Sequence, residues 1–76
     1  MHPIKRLRRA RGLTQKALGE RAGVTLQAVQ GWEKGSVPRA EKLPRLAEVL
    51  GVEPVDLDEA IAAWNRGERG ELMRAA

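Results

Sequence analysis

The chain holds one histidine, His2, and no cysteine, so a nucleophile–base pair or a thiolate metal site has little to draw on. His2 stands beside Pro3 at a terminus expected to be mobile. Ser36 has no histidine or lysine partner in a recognisable arrangement. Asp56, Asp58 and Glu59 could be taken for a metal cluster, but acids in the first turn of a helix are the ordinary answer to its dipole. No glycine-rich phosphate loop follows a strand, because the pattern predicts no strand. An enzyme is therefore not expected, nor is a metal or a cofactor. What the chain offers instead is cationic charge, and that charge is uneven. Residues 1–34 carry +6 and residues 35–76 carry −2. A basic surface seeks phosphate or an acidic partner, although a solvated helix face gives the same pattern. Recognition of single-stranded RNA by stacking is not expected, because the only large aromatics are Trp32 and Trp64.

The elements that must position these groups read as helices. With 76 residues, 42% hydrophobic and 32% charged, the chain suits one small folded domain. It has no run of 18 apolar residues, so no membrane span is expected. The charged start MHPIKRLRRARG lacks the apolar stretch of a secretory signal. Without disulfides, a domain this small must rely on well-packed helices or on dimerisation. Ile4 and Leu7 repeat at helical spacing up to Gly12. Thr14 caps a second helix with Ala17, Leu18 and Ala22 on its apolar face, and Gly23 ends it. Thr25 caps a third, with Val29 and Trp32 three residues apart, and Gly35 ends it. A fourth shows Leu43, Leu46, Ala47 and Leu50. Its start lies near Arg39, or nearer Leu43 if Pro44 sits in the first turn. Pro54 opens a fifth, with Leu57, Ile61 and Trp64 on its apolar side. The glycines and sparse apolar residues of 65–76 predict a frayed tail behind a domain over 1–64.

Two helices joined through Ala22-Gly23-Val24, with small Ala17 and Gly19 on the first and Val29 and Trp32 on the second, meet the needs of a helix-turn-helix. The glycine permits the tight turn, and Gly19 lets the second helix approach closely. An ordinary αα-hairpin in a small bundle has the same outline.

The residues Ile4, Leu7-Arg8, Arg11-Gly12-Leu13-Thr14-Gln15, Ala17-Leu18, Gly23-Val24-Thr25, Val29, Trp32-Glu33, Gly35, Pro38, Leu46-Ala47 and Leu50-Gly51-Val52, at their fixed spacings, resemble the lambda-repressor-like (Cro/repressor type) helix-turn-helix family. The resemblance covers about residues 4–57 without a gap. It implies an all-α, compact five-helix bundle that binds double-stranded operator DNA, commonly as a dimer, and regulates transcription. Gly19 departs from the alanine usual in the family, and glycine within a helix costs roughly 1 kcal/mol relative to alanine.

The resemblance also implies roles. The helix after Thr25 would enter the major groove, with Thr25, Leu26, Gln27 and Gln30 meeting base edges. Glutamine matches adenine N6 and N7 together, and the leucine methyls suit the thymine methyl. Gln15, Lys16, Lys34 and Arg39 would contact phosphates, with Arg6 and Arg9 as weaker candidates. Arg8 and Glu33 match an ion pair that ties the first helix to the third, a scaffold role rather than a contact to DNA. Leu57, Ile61 and Trp64 are expected to form a symmetric dimer contact, although Trp64 could instead fold back onto its own core. The implied protein is a small repressor of prokaryotic or phage type, in the cytoplasm, controlled by concentration, dimerisation and competition for sites. An antitoxin or adaptor of the same fold, whose main partner is another protein, is the alternative.

Overall fold

The computed structural model describes residues 1–67. Among them are five α-helices and no strand: α1 (Pro3–Ala10), α2 (Gln15–Ala22), α3 (Leu26–Glu33), α4 (Leu43–Leu50) and α5 (Pro54–Asn65). A short 3₁₀ turn, Ala40–Lys42, leads into α4. This resolves where the fourth helix begins. Pro44 lies in its first turn, where the missing amide is not needed. Asn65 is the last residue of α5, so that helix runs one residue past the boundary expected for the domain. The rest of the tail, 68–76, lies outside the described residues.

The helix ends follow from local chemistry. Thr14 Oγ1 accepts the Ala17 amide at 3.0 Å, and Thr25 Oγ1 accepts the Ala28 amide at 3.0 Å. Each hydroxyl satisfies one of the first-turn amides that have no partner within the helix. At the far end of α2, Gly23 adopts φ 72° and the Val24 amide donates back to the Gly19 carbonyl at 2.9 Å. A left-handed residue followed by this backward bond turns the chain sharply, and a Cβ would strain it.

His2 corrects the sequence reading. It is buried, and it caps α1: its Nδ1 accepts the Ile4 amide at 3.1 Å. Its ring meets Trp64 edge-on, with centroids 5.5 Å apart. The start of α1 is thereby packed against the end of α5, so the histidine is a structural cap and not a residue at a loose end.

The core is built from the apolar stripe of every helix. Ile4, Leu18, Val29, Leu46, Leu57 and Ile61 are the largest side chains closed off from solvent, and Trp32 joins them. Arg45 fastens α4 to this frame, and Arg11 packs over its end. Arg45 Nε donates to the Arg21 carbonyl at 2.9 Å, at the open C-terminal end of α2. The Arg11 guanidinium lies directly over Gly51, the left-handed residue that ends α4, where the carbonyl ends favour a cation.

The crossing of α2 and α3 is a close approach. A Cβ placed on Gly19 would stand 3.0 Å from the Val24 carbonyl oxygen and 3.4 Å from that of Thr25. Both are backbone atoms of the turn, so they yield only if α3 moves. Gly19→Ala is expected to melt within about 1 kcal/mol of the parent, because the gain in helix propensity offsets the crowding. Gly19→Val adds two further methyls against the same carbonyls and is expected to cost about 2 kcal/mol or more by chemical denaturation.

Candidate nucleic-acid interface

One cluster of side chains joins three helices. Arg8, buried on α1, sends its Nε to Glu33 Oε2 at 2.8 Å and its Nη2 to Glu33 Oε1 at 3.2 Å. Its Nη1 donates to the Leu13 carbonyl at 2.9 Å, in the turn between α1 and α2. Gln15, the first residue of α2, donates its Nε2 to Glu33 Oε1 at 3.1 Å. The side chains of Arg8 and Glu33 are only 10% and 7% exposed, so this is a desolvated, two-pronged pair rather than a surface bridge. Burial alone would push the Glu33 carboxyl up. The hydrogen bonds from Arg8 and Gln15, with the charges of Arg8 and Lys5, outweigh it and hold the carboxyl below its usual value of 4.5.

With its C-terminal end held by Arg8, α3 keeps a fixed rotation. Val29 and Trp32 point into the core. Thr25 and Gln27 are exposed, and Leu26 and Gln30 are half-buried. Leu26 is therefore not absorbed into the core. Thr25 Oγ1 already accepts the Ala28 amide, which leaves its hydroxyl hydrogen and one lone pair to offer outward.

An open groove of about 370 Å³ runs beside α3, lined by Lys5, Gln15, Gln30, Glu33 and Lys34. It gathers three of the residues singled out in the sequence, Gln15, Gln30 and Lys34, around the Glu33 carboxylate. Lys16 and Arg39 are exposed and stand outside it. Arg39 Nη1 lies 4.0 Å from Glu41 Oε1, with the two side chains 85% and 68% exposed. A pair so well solvated leaves Arg39 nearly free to exchange partners. Lys5 was missed as a site residue. The signal was its place three residues before Arg8, on the same face of α1.

The residues expected at a dimer contact divide. Leu57 and Ile61 are buried in the chain's own core at 1% and 2% exposure. Their side chains are spent there and are not on the surface. Trp64 is half-buried against His2. Val55 is the large apolar side chain that α5 leaves exposed. Among the described residues no three His, Cys, Asp or Glu side chains converge as a metal site would need. No helix of those residues is long and apolar enough to cross a membrane.

Two short helices locked across a glycine turn, with the second turned outward beside a groove of cations and amides, define a helix-turn-helix domain. The family model described as helix-turn-helix matches residues 4–57, and the chain belongs to that family. A similar curated protein is an uncharacterised HTH-type transcriptional regulator, y4aM, of Sinorhizobium fredii (strain NBRC 101917 / NGR234), 44% identical over 52 residues. That alignment covers 67% of this chain and 36% of the relative, so the chain spans about a third of the relative's length. No solved structure gives a significant match.

The lowered Glu33 carboxyl sets a pH dependence. Because the folded state holds this proton more weakly than the unfolded chain, the pair stabilises fully above the ordinary glutamate range, and that stability is lost as pH falls through the lowered value. Glu33→Gln keeps the shape and removes the charge. It is expected to be less stable than the parent at pH 7 by about 3 kcal/mol, as for a buried pair that loses one partner. The gap should close as both are melted at successively lower pH below about 4.5.

Proposed function

We propose that this protein binds double-stranded DNA in a sequence-specific way and regulates transcription, as a repressor acting in dimeric form on a palindromic operator. The observation that carries the reading is the outward face of α3. Thr25 and Gln27 are exposed and Leu26 and Gln30 half-exposed, while Val29 and Trp32 anchor the same helix in the core. A helix held in this way presents hydrogen-bonding amides and a thymine-seeking leucine to a major groove, where base edges are distinguishable. Cations beside it meet the backbone and fix register without reading sequence. Membership of the helix-turn-helix family supports the reading, as does the description of the Sinorhizobium relative as a transcriptional regulator.

Dimerisation is part of the proposal because one reading helix seldom supplies enough discrimination. Two related by a twofold axis would read half-sites roughly 34 Å apart. With Leu57 and Ile61 committed to the core, the contact would use exposed side chains of α5 such as Val55. In sedimentation, a duplex carrying both half-sites is expected to take up two protomers and a single half-site one. One protomer on the full site would remove the dimer from the proposal.

Readout and positioning separate by salt. Footprinting on the DNA flanking the gene supplies the operator. Gln27→Ala is expected to lose about 1–3 kcal/mol on that operator and much less on random duplex, at a nearly unchanged salt slope. Arg39→Ala should weaken both alike and flatten the slope of log K against log salt by about one unit. An intact specificity ratio in both Gln27→Ala and Gln30→Ala would refute groove entry by α3. A parent protein without salt-dependent DNA binding would leave a protein partner as the better reading.

A further inference from the structure

The groove between α1 and α3 has a composition that base reading does not explain. Two lysines from different helices, Lys5 of α1 and Lys34 at the C-terminal cap of α3, line it together with the amides of Gln15 and Gln30. The carboxylate of Glu33, which would ordinarily repel an anion there, already receives Arg8 in two-pronged fashion and the Gln15 amide. Those bonds match most of its charge within the protein, which leaves the cluster with net positive charge from the lysines. Lys34 is exposed and Lys5 half-buried; Lys5 acts on Glu33 at longer range, and neither lysine lies within 4.0 Å of a carboxylate among the described residues. The volume of about 370 Å³ would hold on the order of ten waters, room for a hydrated phosphodiester rather than a bare ion.

We infer that this groove is a clamp for a single backbone phosphate of duplex DNA, gripped jointly by Lys5 and Lys34 over the Gln15 amide. The inference rests on the DNA-binding reading above and adds to it a residue, Lys5, and a stoichiometry, two lysines to one phosphate. The anchoring of Gln15 matters here. One hydrogen of its Nε2 is committed to Glu33, which restrains the amide, and the second is a further donor that a ligand could use. The clamp would set how deeply α3 sits in the groove, because one of its cations stands on α1 and the other on the residue that caps α3.

The stoichiometry gives a signature. The salt slope counts phosphates neutralised, at about 0.9 per phosphate. If two lysines share one phosphate, removing either leaves it largely neutralised. Lys5→Met, which keeps the packed stem, and Lys34→Ala are each expected to flatten the slope by well under one unit on a random-sequence duplex. The double variant should flatten it by about 0.9, so that its affinity ratio between 50 and 200 mM salt narrows by roughly 3.5-fold. Lys5→Arg should behave as the parent, and thermal melts of every variant report whether folding is intact. A double variant indistinguishable from Lys34→Ala alone would take Lys5 out of the site. Full-unit losses in both single variants that add in the double would mean two separate phosphates and overturn the clamp. Loss of all salt-dependent binding in the parent is a different failure. It removes the DNA reading, and the clamp with it.

Discussion

The Arg8–Glu33 pair is the interaction on which the rest of the arrangement depends. Its value is geometric. A buried ion pair seldom stabilises a protein more than apolar side chains of the same volume would, because both charges must leave water. What it does here is join the middle of α1, the turn before α2, the first residue of α2 and the end of α3 at one point, through Arg8, Leu13, Gln15 and Glu33. Directional hydrogen bonds admit one relative placement of those elements, where apolar contacts would admit several. The rotation of α3 about its own axis follows from that placement. With Glu33 turned to Arg8 and Val29 and Trp32 turned inward, Gln27 has only solvent or a ligand to face.

The other constraints act on the same joint from outside. Gly19 lets α3 come close enough for the pair to form, and Gly23 makes the turn short enough to bring it there. Arg45 closes the exposed end of α2, and Arg11 lies across the end of α4. In a domain with so small a core, such polar ties take over the specifying role that deeper packing plays in larger proteins.

Much of this was legible in the sequence because it is local. A threonine three residues before an amide that needs an acceptor, a glycine after the last apolar residue, and a proline in a first turn each act within one helical turn, as Thr14, Thr25, Gly23 and Pro44 do. Arg8 and Glu33 lie 25 positions apart, and only the family resemblance put them together. Contacts across the bundle were not legible. His2 looked loose because nothing in the chain near it says that Trp64 returns to cover it. Leu57 and Ile61 lie on an apolar stripe, and periodicity cannot say whether such a stripe meets its own core or a second copy. The structure gives them to the core. Lys5 read as one more cation in a basic run until the groove set it opposite α3.

In the proposed function, a helix fixed in this way reads duplex DNA by its outward side chains. Selection of bound fragments from a fully randomised duplex pool, followed by sequencing, tests that most directly. The predicted result is a recurrent half-site rich in A·T pairs, as glutamines on adenine and a leucine on the thymine methyl require, repeated with inverted symmetry about one helical turn away. A pool that stays as random after several rounds as at the start, although protein and DNA still associate at low salt, would contradict it.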